Sequence, residues 1–451
     1  VSASLQSRVF SWLDQHVKNE RCLALGYSGG GDSHALLCLV TEWAKTSSST
    51  EICALIVDHG LRPESAGEAE QSANAARRLG ARARVLQWNG AKPKTGVQAA
   101  ARHARHELLA EAALSSGARK LLFAHTMDDQ NETVWMRLQA GGGWRSCAGM
   151  SDDAPSPSWP TGRGVRLLRP LLNTRRASLR SFMKDRSESW VEDPSNEDPR
   201  YTRIAVRRHL AALEENGFGV DRLSDLANQL RGFRVRETFL AGRVAECAIE
   251  LMAWGGARID RASLQSVSPV IRTQIFSAAM LAVSGRPAPA SKAVVAAMLT
   301  ALADGVPHCG GGTRLVCWRG DIWLVRDLGA VTGRVDQPTP KEMPLLPNHC
   351  NFWDGRYEIE TGISDICAGP LGLRYEGLAD RRVLPDIPGA ARPGLLTIRR
   401  QASGQVLAVA GCLDHAGINI RSLARERLSS RLNLGVVSTE CTTVEPIVSA
   451  N

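Results

Sequence analysis

Leu23-Ala24-Leu25-Gly26-Tyr27-Ser28-Gly29-Gly30-Gly31-Asp32-Ser33-His34-Ala35 is the stretch on which the fold turns. A short apolar run, a Gly/Ser loop and a helix-like composition from Ala35 to Trp43 read as strand, loop, helix. A glycine loop that leaves a buried strand and opens a helix can cradle phosphate. Its bare backbone lets N–H groups point at oxygens, and the helix N-terminus adds partial positive charge. Ser28 and Ser33 supply hydroxyl donors. Asp32 is repelled by phosphate unless a cation intervenes, which suggests Mg2+ with Asp32 as its ligand. A flexible linker is the plainer reading, but linkers are not flanked by apolar runs like 22–25 and 35–40. The Gly-Lys-Ser/Thr ending of a Walker A loop is absent, and Gly29-Gly30-Gly31 lacks the dinucleotide-binding spacing.

The pattern repeats outward from the loop. Ile52 to Val57 reads as a buried strand closed by Asp58-His59-Gly60, and 65–79 as a helix ending at Gly80. Arg84-Val85-Leu86, a helix over 97–114, a strand over 120–124 and a helix over 128–138 follow. Alternating strands and helices with near-continuous apolar strands predict a Rossmann-like parallel sheet covered on both faces. Ligands bind such sheets at the carboxyl ends of the strands, where three polar clusters fall, at 28–33, 58–62 and 125–132. In the last cluster His125 is placed to touch a phosphate or shuttle a proton. Asp129 is placed for a metal or a cationic amine. Acidic residues at a helix start also cap it, and Asp128 needs no further role.

Beyond Gly141-Gly142-Gly143 the texture changes. Residues 151–164 read as an exposed loop, 161–210 carry twelve Lys/Arg against six Asp/Glu, 205–300 look helical, and short strands begin near 305. The Pro-rich stretch 337–347 reads as a linker. The expected division is a catalytic segment over 1–212, a helical segment ending in strands over 213–336, and a small mixed α/β segment over 345–451.

The chain has 451 residues, 55 Lys and Arg against 46 Asp and Glu, and a net charge of +9. That balance favours a polyanionic partner, nucleic acid first, with plain solubility as the other reading. Eleven cysteines are scattered without a Cys-x-x-Cys pair, so zinc-ribbon and iron–sulfur sites lack support and buried thiols are expected. His308-Cys309 and His349-Cys350 are neighbours in sequence, which rarely share one ion. No apolar run reaches the roughly 20 residues of a membrane span. No signal-peptide pattern opens the chain, so the cytoplasm is the default. A homodimer is compatible with the sequence, which shows no heptad or exposed apolar stripe to declare one.

Three motifs taken together narrow the reading: Ser28-Gly29-Gly30-x-Asp32-Ser33, Asp58-His59-Gly60-Leu61-Arg62, and His125-x-x-Asp128-Asp129-Gln130-x-Glu132-Thr133. They resemble the tRNA(Ile)-lysidine synthetases, N-type ATP pyrophosphatases of the PP-loop kind. Gly96-x-Gln98 with Ala101-Arg102, the glycine-rich segment from Gly141 to Met150, Arg169-Pro170-Leu171-Leu172, Asp193-Pro194-Ser195-Asn196-x-Asp198 and Tyr201-x-Arg203 extend the likeness over 20–210. Gly310 to Arg314 and Leu395 to Ala410 echo the family's C-terminal domains.

The resemblance implies an adenine nucleotide alpha-hydrolase type of N-terminal domain and a two-step reaction. ATP adenylates C2 of the wobble cytidine in an isoleucine tRNA with a CAU anticodon, and free lysine then displaces AMP to give lysidine. It implies ATP and Mg2+ at Ser28 to Ser33, catalytic roles for Asp32, His125 and Asp129, and tRNA contacts for Arg102, Arg175, Arg176 and Arg203. The chain departs from the family where Arg-Asn-x-Ile-Arg is usual and Arg203-Ile204-Ala205-Val206-Arg207 stands. It departs again at Ala140, where Arg is usual, and at Ser146-Cys147, where Gly-Leu is usual. Arg137, Arg145 and Arg208 are candidates to compensate. Rival readings are another PP-loop adenylating or thiolating enzyme, for which only Cys147 lies near the site, and a non-catalytic RNA-binding relative.

Overall fold

The computed structural model describes residues 4–47, 49–60, 63–89, 92–93, 95–190, 202–334, 337–338, 342–375, 377–384, 386–432 and 434. The chain divides into two compact units, Val1–Val235 and Arg236–Asn451.

The first unit runs α1 (Leu5–Val17), β1 (Cys22–Gly26), α2 (Gly31–Ser47), β2 (Glu51–Asp58), α3 (Ser65–Arg78), β3 (Arg82–Gln87), α4 (Val97–Ser115), β4 (Lys120–Leu122) and α5 (Met127–Gln139). It continues with α6 (Trp144–Cys147), β5 (Asp153–Pro155), β6 (Arg166–Leu168), α7 (Arg176–Lys184), α8 (Thr202–Glu215) and the start of α9 (Asp221–Ala248). The sheet order is β3-β2-β1-β4-β6-β5, parallel except for the edge pair β5–β6. β1 lies inside the sheet and all five of its residues are buried. One apolar layer joins α1, α2 and α7 to one face, with Trp43, Leu36 and Leu37 fully enclosed. A second, around Leu109, Ala113, Leu121 and Phe123, fills the other face beneath α4. Both faces are covered, which explains the unbroken apolar strands.

The expected strands and helices are present. The sequence reading did not find α1, β5 and β6. β6 is three residues long with only Leu167 and Leu168 buried, too short to stand out from its surroundings. The first unit extends past 212 because α8 and the beginning of α9 close a small cluster with α5 through Val134, Val206, Leu210, Leu223 and Ala227.

The second unit begins in α9. The run expected to be helical is broken at 249–259 by a hairpin, β7 (Ile249–Leu251) and β8 (Ala257–Ile259), whose turn includes Gly255 at φ +87°. Two further strands, Thr313–Trp318 and Asp321–Arg326, extend this hairpin into a five-stranded sheet with His308–Gly310 at its edge. Helices Pro269–Ser284 and Lys292–Asp304 pack on that sheet with Ala424–Leu432. A four-stranded and a three-stranded sheet follow over 343–422. The change from helices to short strands is the basis for proposing 213–336 and 345–451 as separate segments. Cys247, Cys309, Cys317 and Cys350 are exposed, where buried thiols were expected. Among the described residues, no helix is long and apolar enough to cross a membrane.

Candidate active site

The glycine loop joins the end of β1 to the first turn of α2. Gly29 adopts φ +79°, and a Cβ there would stand 2.4 Å from Ser72 Oγ, so glycine is required twice over. The buried Ser33 hydroxyl donates to Gly30 O (2.8 Å) and accepts from Ser28 N (3.3 Å), while Ser28 Oγ is 3.1 Å from it. Ser33 thus holds the loop's curvature, and the first amides of α2 remain at the rim for an anion. Trp190 packs against Gly31, close enough that a Cβ would be 3.1 Å from its ring.

β4 ends beside β1, and the third polar cluster starts α5 at the same rim. Thr126 and Asp129 form a reciprocal cap: Asp129 Oδ2 accepts from Thr126 N (2.8 Å) and Thr126 Oγ1 (2.9 Å), and Thr126 Oγ1 accepts from Asp129 N (3.4 Å). The capping role considered for Asp128 therefore belongs to Asp129. Asp128 instead accepts from the backbone N of Arg176 at 2.7 Å and so caps α7 from another part of the chain.

Arg176 is the central charge. Its Nε donates to Asp32 Oδ2 at 2.8 Å and its Nη2 to Asp129 Oδ1 at 3.2 Å. The side chains of Asp32, Asp129 and Arg176 are 25%, 15% and 18% exposed, so the bridge is largely shielded from water. Burial pushes the Asp32 carboxyl up, against the pull of Arg176, and Asp129 and Asp128 add to the rise. Burial acts on Asp129 in the same sense, but Arg176 and the Thr126 hydrogen bonds prevail and hold its carboxyl below the usual range. Asp32 Oδ1 has no hydrogen bond among the described residues, so one hard oxygen remains for a divalent cation beside the loop.

On the other side of α5's start the charge is positive. His125 Nδ1 accepts from Arg169 Nε at 3.2 Å, and its ring stacks on Phe123 with centroids 5.7 Å apart. Burial and then Arg169 lower His125 to about 3, so the imidazole is neutral at ordinary pH. Its Nδ1 is an acceptor held in place by Arg169. Burial lowers Arg102, Arg105 and Arg169, the last to about 10, and Arg102 lies near enough to Arg105 and Arg169 to disfavour their charge further. Arg203, at the start of α8, adds to the effect on Arg102. At the second strand end, Asp58 accepts from Gly60 N (2.8 Å) and Ser65 Oγ (2.7 Å), so it shapes the turn. Leu61, Arg62 and the motifs at Asp193 to Asp198 and Tyr201 lie outside the described residues.

The glycine-rich segment is fastened from inside. Gln130 accepts from Met150 N (2.8 Å) and donates to Met150 O (3.0 Å), and Arg137 donates to Ser146 O (2.8 Å) and Gly149 O (3.0 Å). Arg137 is thus occupied in holding this segment. Ile204 is buried and Ala205 exposed, so the first departure fills a core position. Arg175 is bound to Glu214 (2.8 Å) and Asp221 (2.6 Å), with Asp128 at 3.7 Å. The site therefore brings Asp32, Asp129, His125 and Arg176 together. It leaves Arg175 in an ion-pair group and Arg102 and Arg203 at the cationic side. Arg169 and Arg105 were missed as site residues. Arg169 was visible in Arg169-Pro170-Leu171-Leu172, but nothing local announced that it meets His125.

The depressed His125 fixes a pH dependence. Its folded value lies below the ordinary 6.5, so the unfolded chain binds the proton first and stability is lost as pH falls from 6.5 toward about 3. The ceiling is about 1.4 kcal/mol per pH unit. Wild-type protein should lose stability to urea between pH 7 and 5, and His125→Gln should lose less. Equal losses would assign the effect to His106, which burial and then Arg102 lower to about 4.

A family model described as a PP-loop domain matches residues 2–214. The chain is similar to the tRNA(Ile)-lysidine synthase of Caulobacter vibrioides, 34% identical over 421 residues, covering 91% of this chain and 93% of that one. It is similar to that of Ruegeria pomeroyi at 32% over 382 residues, covering 83% and 84%. Among solved structures, it is similar to the U34-tRNA thiolase NcsA of Methanococcus maripaludis with TM-score 0.42, 16% identity and coverage of 51% of this chain and 77% of that one.

Proposed function

The chain belongs to the tRNA(Ile)-lysidine synthase family, and from that premise we propose that it joins lysine to C2 of the wobble cytidine in isoleucine tRNA with a CAU anticodon. The first step transfers AMP from ATP to the cytidine C2 oxygen with release of pyrophosphate; the second is attack by the lysine ε-amine at C2, with AMP leaving. One juxtaposition carries the reading: an anion-binding loop and two carboxylates bridged by Arg176 share a rim with the Arg102, Arg105 and Arg169 side.

Mg2+ fits the oxygen donors at Asp32, whose Oδ1 is available, and when bound it neutralises charge on the pyrophosphate leaving group. The α2 amides orient the phosphates, and Ser33 keeps the loop in register for them. Arg176 balances the two carboxylates and excludes water from between them. Asp129 is the acidic group for the lysine ammonium, since it is the more strongly held in its charged form. Arg102 and Arg203 contact tRNA phosphates near a base splayed out of the anticodon loop. Work in the cytoplasm belongs to the same proposal, as does a homodimer.

The test is single-turnover transfer of labelled lysine to the isoleucine tRNA transcript, with methionine tRNA of the same anticodon as control. Lysine transfer to the isoleucine transcript alone supports the proposal; ATP–pyrophosphate exchange on another substrate with no lysine transfer overturns it. Arg102→Ala with Arg203→Ala should also flatten the salt dependence of tRNA binding by about 0.7 log unit per lost phosphate contact, and Arg175→Ala should leave it unchanged. An unaltered slope in the double variant removes both arginines from the interface.

A further inference from the structure

Just behind the loop, α2 carries side chains that the phosphate chemistry does not use. His34 and Cys38 are one helical turn apart and so share a face, and they are 3% and 4% exposed. Glu188 follows α7, and its Oε2 lies 3.1 Å from His34 Nε2. One nitrogen, one sulfur and one carboxylate oxygen from these residues all lie within 4.8 Å of one another. The Tyr27 hydroxyl is 2.7 Å from His34 Nδ1.

We propose that His34, Cys38 and Glu188 bind one divalent transition-metal cation of the zinc type, with Tyr27 as the outer hydrogen-bond partner that orients the imidazole. The donor set argues for this class. A thiolate, an imidazole and a carboxylate with one position left for water suit zinc, whereas magnesium and calcium prefer oxygen alone. Without a cation, His34 Nε2–H donates to Glu188 and Nδ1 accepts from Tyr27; on binding, the proton moves to Nδ1, the Tyr27 oxygen accepts it, and the Nε2 lone pair turns to the metal, since metal-bound histidines usually donate their other ring N–H. The Cys38 thiol is enclosed, yet among the described residues it has no hydrogen bond to another side chain. Binding replaces the thiol proton, which passes to solvent, and the thiolate and carboxylate together balance the metal's two charges. The metal joins the first turns of α2 to the segment whose Trp190 covers Gly31, so it holds that cover on the loop.

The proposal is tested on the full-length protein, stripped with a chelator and titrated with Co2+ in the absence of ATP and tRNA. One equivalent should bind, with a thiolate-to-cobalt charge-transfer band and the visible bands of a four-coordinate site. Zn2+ should displace it and excess Mg2+ should not. Cys38→Ser should abolish the charge-transfer band. Glu188→Gln, which changes a partly exposed side chain and spares the core, should weaken cobalt binding by more than the roughly 10- to 100-fold that loss of an outer hydrogen bond costs. No stoichiometric cobalt, or a band that persists in a folded Cys38→Ser, overturns the proposal. Unchanged affinity in Glu188→Gln does the same even if Cys38→Ser fails to fold. In each such case the group is a Tyr27–His34–Glu188 hydrogen-bond chain with a packed thiol. The readout is optical and independent of whether the site adenylates RNA.

Discussion

Asp32→Ala is expected to slow adenylation by about 10²- to 10³-fold, the scale for losing one preorganised charged group at the reacting phosphates. ATP should bind the variant as well as before or better. In the wild type Asp32 occupies the Arg176 Nε, and its loss leaves a guanidinium with spare positive charge beside the phosphate loop. A rate that falls while KM for ATP holds or drops separates this from simple loss of binding. The tRNA dissociation constant should stay within about twofold, because the cationic side built from Arg102, Arg105 and Arg169 does not depend on Asp32. ATP–pyrophosphate exchange, single-turnover transfer and tRNA filter binding give the three readouts. Loss of tRNA binding along with catalysis would assign Asp32 a structural role.

What made Asp32 legible was local. A glycine loop between two apolar runs needs no partner to be recognised, and strand–helix alternation placed it at a sheet edge. Asp129 and His125 were legible for the same reason, since both sit at the start of a helix after a buried strand. Arg176 was expected to contact tRNA; the structure also sets it between Asp32 and Asp129. Its place in the site depends on β6, three residues long, and on the turn at Leu171 to Thr174 that brings α7 back to Asp128. His34, Cys38 and Glu188 escaped for a related reason, since the first two are four apart on a helix but the third comes 150 residues later. In the second unit two arginines are taken up by the fold: Arg399 donates to Pro370 O and Leu371 O, and Arg427 donates to Arg286 O and Pro287 O. Pairing within a fold consumes charge that composition counts as free.

Arg176→Ala should be the most damaging single change to the first unit, lowering its stability by about 2–4 kcal/mol. Removing one partner of a buried ion pair costs about 3–5 kcal/mol, and the partial exposure of these side chains places this bridge toward the lower end. The sign of the pH dependence distinguishes this cause from lost packing. Burial already raises Asp32, and Arg176 is the chief influence opposing that rise. Without the guanidinium, Asp32 takes up a proton in the folded state at a pH where the unfolded chain has released it. Folded protein then binds more protons than unfolded, so stability falls as pH rises through the raised value and recovers as pH falls toward the ordinary carboxylate range. The gap between wild type and Arg176→Ala in urea denaturation should therefore be wide at pH 8 and narrower at pH 5. A constant gap would mean that the cost comes from the arginine's stem. Arg176→Lys separates charge from geometry: an ammonium restores the counter-charge but cannot span Asp32 and Asp129 as the two guanidinium nitrogens do. That variant should recover most of the stability at pH 8 and little of the catalytic rate.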